Sequence, residues 1–275
     1  MSDLAGADGL APTVSKQVMV SDKDRHTIVF GCDPETDIGV QDPMLIRFSS
    51  QESLTTWGAS SINTAGDLRL GSGSEIVCAV ETKQQIIVFT DTSVYAMQFL
   101  GPPFTFGINM ISDNTTISGS FAPVGIEDSV FWMGLSEFYS YDGTVKEIPC
   151  TVKDFVFKDF NQDQRSKVYA ASNTAFSEVW WFYPSAGSFE NNRYVVYNYG
   201  QNIWYYGSMS RTAWIDRGIS ALPVAAGPDH YLYRHESGFD DGSTSPATPI
   251  SAYIESSQMS IGDGENFVFI SKIIP

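Results

Sequence analysis

Short apolar runs separated by turn residues dominate the chain, and almost none keeps the 3.6-residue spacing of an amphipathic helix. The densest block runs from Val179 to Asp216. Val179–Tyr183, Arg193–Tyr197 and Ile203–Tyr206 are aromatic and β-branched runs there, bounded by Pro184, Gly187, Asn191, Asn192, Gly200 and Gly207. Such runs predict antiparallel strands. The same reading places further strands at 27–30, 44–49, 76–80, 86–90, 93–99, 129–133, 137–141, 168–172, 230–234 and 250–255.

A paired unit recurs. Ile86–Thr90 turns at Asp91-Thr92 into Ser93–Phe99, and Ser129–Met133 turns at Gly134 into Glu137–Tyr141. Val179–Tyr183 with Arg193–Asn198 is a looser copy, and His230 opens a fourth. The copies begin about 43 to 51 residues apart, which is the period of a propeller blade. A β-sandwich would also give hairpins. The predicted class is all-β, β-propeller-like, with antiparallel hairpin blades and little helix. Residues 1–20 are predicted to be a flexible N-terminal arm and 21–275 the propeller-like domain.

Composition narrows the function. The 275 residues are 43% hydrophobic and 13% aromatic, enough for a large core in a single all-β domain. The net charge is −16, from 32 acidic and 16 basic residues, and it disfavours a general grip on nucleic-acid phosphates or anionic lipid. Cys32, Cys78 and Cys150 are odd in number and widely spaced, so they read as buried free thiols rather than a disulfide or zinc framework. The first residues carry no secretory signal pattern, and no apolar stretch reaches the ~18 residues of a membrane span. Asn114-Thr115-Thr116 is a formal sequon without that context.

No nucleophile elbow, phosphate loop, zinc-protease motif or dinucleotide fingerprint is present. His26, His230 and His235 are the sole histidines. Asp159, Asn161 and Asp163 alternate like the start of a calcium loop, but the later glycine and glutamate are missing. Asp240-Asp241, following His235-Glu236 and Gly238, could pair carboxylates as in a glycosidase. Trp180, Trp204 and Trp214 could stack on sugars or lie in the core. Arg211 stands three residues before Trp214, a spacing suited to bracing a blade edge or to subunit contact. No catalytic residue, cofactor or metal site is expected. Arg211, Trp214 and Trp204 are the candidate subunit or partner contacts.

Several segments resemble one family when taken in order: 42–57 (DPMLIRFSSQESLTTW), 88–106 (VFTDTSVYAMQFLGPPFTF), 130–143 (VFWMGLSEFYSYDG), 178–185 (EVWWFYPS), 211–218 (RTAWIDRG), 232–242 (LYRHESGFDDG) and 261–275 (IGDGENFVFISKIIP). Together they are similar to the tail nozzle proteins of short-tailed bacteriophages, also called DNA-stabilisation or tail tubular proteins. The resemblance implies a propeller-like virion subunit in a homo-hexameric ring below portal and adaptor. It also implies contacts with tail needle or fibre proteins, and a channel that passes double-stranded DNA without binding it specifically. The family continues beyond Ile273-Ile274-Pro275, so the resemblance implies that this chain is a fragment. The alternative reading is a host-glycan-binding or glycan-cleaving tail module using Trp204 and Asp241. A third is a cellular propeller scaffold.

Overall fold

The computed structural model describes residues 9–240, 246, 248 and 249. The chain divides into two compact units, Met1–His235 and Glu236–Pro275. In the second, the described residues include one antiparallel bridge, Asp240 to Pro249.

The first unit is a series of antiparallel meanders, each strand pairing with the next in sequence. Sheet 1 holds β1 (Gln17–Val20), β2 (Thr27–Phe30), β3 (Leu45–Phe48) and β4 (Gly66–Arg69). Sheet 2 holds β5 (Ile76–Glu81), β6 (Ile86–Thr90), β7 (Val94–Gly101) and β8 (Thr105–Ser112). Sheet 3 holds β9 (Pro123–Ile126), β10 (Ser129–Met133), β11 (Phe138–Tyr141) and β12 (Val145–Glu147). Sheet 4 holds β13 (Tyr169–Asn173), β14 (Glu178–Tyr183), β15 (Arg193–Asn198) and β16 (Ile203–Ser208). Sheet 5 holds β17 (Ala213–Ile215), β18 (Val224–Ala226) and β19 (Leu232–Arg234). One α-helix, α1 (Lys153–Asp159), and a 3-10 helix, Gln162–Lys167, link sheets 3 and 4. Four-stranded meanders in sequence order are propeller-blade topology, so the all-β, propeller-like expectation holds.

The strand sequences explain this stacking. A sheet with neighbours on both faces must be apolar on both, so its second strand loses the usual alternation. All six residues of β14 and all five of β6 are buried. Along β14, Val179, Trp181 and Tyr183 join the large core between sheets 2, 3 and 4, while Trp180 and Phe182 turn to the core against sheet 5. Along β6, Ile87 and Phe89 join the large core, while Ile86 and Val88 pack toward sheet 1. Burying a side chain the size of Trp181 or Phe89 contributes about 2–3 kcal/mol.

The segment expected as an arm is corrected where it is described. Gln17–Val20 is a strand, Ala11 is buried with Val29, Leu45 and Trp57, and Asp33 accepts hydrogen bonds from Thr13 and Val14. Leu10 and Ala11 pack into a small core, while the Thr13 and Val14 amides are spent on Asp33. The predicted strand at 250–255 lies outside the described residues.

Candidate functional site

The first strands of consecutive sheets, β5, β9, β13 and β17, are neighbours in turn, and sheet 1 adjoins β5. Hydrogen bonds between sheets fix their direction. Glu81, at the end of β5, accepts from Ser21 Oγ and the Asp22 amide, just past β1. The Lys83 amide, past β5, donates to the Glu127 carbonyl, past β9. Asp216, past β17, accepts from Ser172 Oγ and the Thr174 amide at the end of β13. The turns that leave these first strands therefore share one end of the unit.

The first strands form an inner wall. A cavity of about 310 Å³ opens there, lined by Lys16, Gln17, Val77, Ser120, Phe121 and Tyr169, among others. Gln17 fastens the wall. Its amide donates to the Ala79 carbonyl at 2.9 Å and accepts from the Ala79 amide at 2.7 Å, so one side chain replaces a pair of ladder bonds between sheets 1 and 2. Ser120 Oγ donates to the Val77 carbonyl and Trp181 Nε1 to the Ala122 carbonyl, joining β9's approach to sheets 2 and 4. Lys16 is the charged side chain of the lining and pairs with Glu75 at 3.5 Å. The wall's polar groups are thus largely spent on joining sheets.

A second polar knot sits in the seam of sheets 4 and 5. Glu178, buried in β14, accepts from Trp180 Nε1 at 2.9 Å, from Asn173 Nδ2 at 3.3 Å and from the Tyr205 hydroxyl. Trp180 stacks on Trp214 with ring centroids 5.9 Å apart, and Trp214 Nε1 donates to the Ser172 carbonyl. Arg211 Nε donates to His235 Nε2 at 2.9 Å, and its guanidinium lies 4.0 Å from the centre of the Tyr233 ring. Burial first, and the neighbouring Arg211 second, push His235 down to about 4.

The structure therefore places the three candidate contact residues inside the unit. Trp204 is 7% exposed, donates to the Pro149 carbonyl and packs on Phe138, Trp181 and Tyr197. Trp214 is 8% exposed, and Arg211 is half-buried beneath Tyr233 and His235. Arg211 and Trp214 do meet, through His235, whose ring centroid is 4.5 Å from that of Trp214. Trp204 belongs to the opposite face of sheet 4, because Trp204 and Trp214 are members of different cores. The bracing reading of Arg211 and Trp214 fits this geometry; buried indoles are not surface contacts.

The remaining candidates resolve similarly. Asn161 accepts from the Asp163 amide and donates to the Ser188 carbonyl, and Asp159 pairs with Arg193, so this triplet is a hydrogen-bonded turn. Among the described residues no group of three or more acidic, histidine or cysteine side chains is arranged to hold a metal. Burial drives Cys32 up to about 12 and Cys150 to about 11, and it raises Cys78 also, so all three are neutral thiols at pH 7. Asp240 is exposed, and Asp241 lies outside the described residues. Gln17 and Glu178 were missed in the sequence. Glu178 had a visible signal, since a charge opening an otherwise apolar run of strand residues requires partners.

No protein-family model and no curated protein matches the chain. Solved structures do. The chain is similar to Hsv2 of Kluyveromyces marxianus, with 7% identity, TM-score 0.47, 79% of this chain and 62% of that chain covered. It is similar to Kluyveromyces lactis Hsv2 with 10% identity, TM-score 0.47 and coverage of 79% and 59%. A functionally unknown protein from Desulfotomaculum acetoxidans matches at 8% identity, TM-score 0.44 and coverage of 78% and 69%. The chain spans about three fifths of the length of the Hsv2 chains. No helix among the described residues is long and apolar enough to cross a membrane.

Proposed function

We propose that the chain is a structural subunit of a short-tailed bacteriophage tail nozzle. It forms part of a ring that continues the DNA channel, retains the packaged genome and conducts it at ejection. The observation that carries the reading is where the resembling segments fall. Residues 42–57 contain β3, 88–106 contain β7, 130–143 contain β11, 178–185 contain β14 and 211–218 contain β17. Residues 232–242 also contain β19, so each sheet of the propeller-like unit holds at least one such segment, and the likeness follows the skeleton of the whole unit rather than one local motif.

Two further features support it. The polar groups of the inner wall and of the seam are engaged in joining sheets, as suits a part that bears load rather than turns over substrate. The excess of negative charge keeps DNA phosphates from adhering. In this reading the chain assembles as a homo-hexamer, meets an adaptor above and needle or fibre proteins below, and acts in the virion tail.

The sugar-reading alternative drew on Trp180, Trp204 and Trp214, and all three are at most 9% exposed, so no indole platform supports it. Cryo-electron microscopy of the virus particle that carries this chain tests the proposal. Density for the propeller-like unit in a ring on the tail axis is the expected result. Placement on peripheral fibres, or absence from particles, would overturn it.

A further inference from the structure

The β7–β8 hairpin ends in a built apolar tip. These two strands have eight residues each, against six and five for β5 and β6 of the same sheet. The pairing runs to Gly101↔Thr105, leaving Pro102, Pro103 and Phe104 as the turn. Leu100 is 59% exposed and Phe104 75%, and both prolines are exposed too.

Several features make this tip rigid. Two prolines fix their own backbone torsions. Thr105 is buried and held at a φ of 57°, a conformation that β-branched residues rarely adopt and that persists where the surroundings impose it. The base of the hairpin is anchored by rings: Phe106 lies 4.9 Å from Phe48, 5.0 Å from His26 and 5.5 Å from Phe99, centroid to centroid. A rigid apolar knob of this kind is presented to a partner with little ordering cost.

The surroundings of the base state the partner's charge. Lys23, Asp24, Glu81 and Lys83 line a crevice together with Phe99 and Phe106. The Asp22 amide bonds Glu81, Lys83 pairs with Glu127, and Gln84 reaches Asp128. Five carboxylates stand against two ammonium groups there, an excess of three negative charges. Burial raises the Glu81 carboxyl against the pull of its donors, with Asp22 and Asp24 adding to the rise.

We infer that the tip formed by Leu100 and Phe104 is a docking knob for a partner protein that offers an apolar pocket with a basic rim. Charge decides between partner classes: an anionic bilayer or nucleic acid would be repelled by these carboxylates, whereas lysines and arginines around a pocket would be attracted. The inference rests on the virion reading, in which such a partner is a neighbouring tail protein.

The test uses assembled particles. A photo-crosslinking residue replaces Phe104, and separately the pair Leu100→Ser and Phe104→Ser is introduced, with Phe104→Leu as the conservative control. The expected results are crosslinks to a protein segment whose apolar residues are flanked by lysine or arginine, incorporation of the double variant reduced at least about tenfold, and near-normal incorporation of Phe104→Leu. Incorporation of the double variant at the wild-type level would overturn the inference, as would crosslinks confined to lipid, DNA or an acidic surface. The two failures are separable. Loss of the unaltered chain from particles sinks the virion reading, whereas a chain present with an inert tip sinks this inference alone.

Discussion

The fastening of residues 10–14 onto sheet 1 makes the sharpest prediction. Asp33 Oδ1 accepts from the Thr13 amide at 2.9 Å and the Val14 amide at 3.1 Å, and Oδ2 accepts from Thr13 Oγ and the Gly39 amide at 2.8 Å each. Buried Arg47 supplies a second fastening, reaching the Leu10 and Asp33 carbonyls. Asp33→Asn keeps the shape and one acceptor oxygen, but it sets an NH2 group against the Gly39 N–H. Hydrogen bonds to a charged group are worth about 1.5–3 kcal/mol each, so loss of the Gly39 bond alone weakens the fastening by about that amount. Local opening then becomes about 10- to 140-fold more frequent, at about 1.4 kcal/mol per tenfold. Hydrogen exchange read at Thr13, Val14 and Gly39 measures it directly. The wild type carries the same test in its pH dependence. Burial alone would raise this carboxyl, but the Gly39, Val14 and Thr13 donors outweigh it and hold it at about 2, below the ordinary 3.8. A carboxyl depressed on folding stabilises above its ordinary value and loses that contribution as pH falls. Protection at Thr13 and Val14 should therefore decline between about pH 4 and pH 2. Equal protection in wild type and Asp33→Asn at pH 7, with no decline in acid, would refute the reasoning.

Two further outcomes are expected. Trp204→Ala, which empties a site bounded by Phe138, Trp181 and Tyr197, should cost about 3–5 kcal/mol and lower the melting temperature; an unchanged melt would show that Trp204 is not the core residue described. His235, held neutral at about 4 against an ordinary 6.5, takes up a proton on unfolding between those values, so acidification from pH 6.5 toward 4 should destabilise the seam of sheets 4 and 5. His26 is lowered too, so the informative quantity is the difference between wild type and His235→Leu in thermal melts at pH 7 and pH 5. A wild-type melt that falls no more steeply than that of His235→Leu would remove His235 from the account.

Much of the fold was legible because the second strands of sheets 1, 2 and 4 are buried along their whole length. The predicted strands 27–30, 86–90, 129–133 and 193–198 coincide with observed ones, and the recurring pair falls on the second and third strands of sheets 2, 3 and 4. The fourth repeat was misplaced, since residues 230–234 contain β19, the third strand of sheet 5, and the second is β18 at Val224. First and fourth strands were harder to see. β1, β4, β8, β9, β12 and β17 were not predicted, because inner and outer strands face cavity or solvent on one side and carry mixed residues such as Pro123, Gly125 and Lys146. α1 was missed for a related reason: seven residues with Val156 as the one buried position give no periodicity to detect. Of the candidate contacts, Trp204 and Trp214 are buried within the unit and Arg211 is half-buried. Trp204 and Trp214 occupy strand positions whose inward or outward direction depends on register, which composition does not specify.

Charge and packing play separate parts in this molecule. The ion pairs among the described residues, such as Lys146–Asp142 and Lys83–Glu127, join largely exposed side chains, and such pairs contribute little to stability. A net charge of −16 works against compaction through self-repulsion. Stability must therefore come from the stacked sheet faces and from fastenings such as half-buried Gln17 and buried Asp33 and Glu178, all of which are short-range and little screened by salt. A subunit built this way can keep a strongly acidic surface without depending on it for folding. That separation would suit the proposed conduit for DNA, because a surface that repels phosphate then rests on a frame whose integrity does not change with ionic conditions.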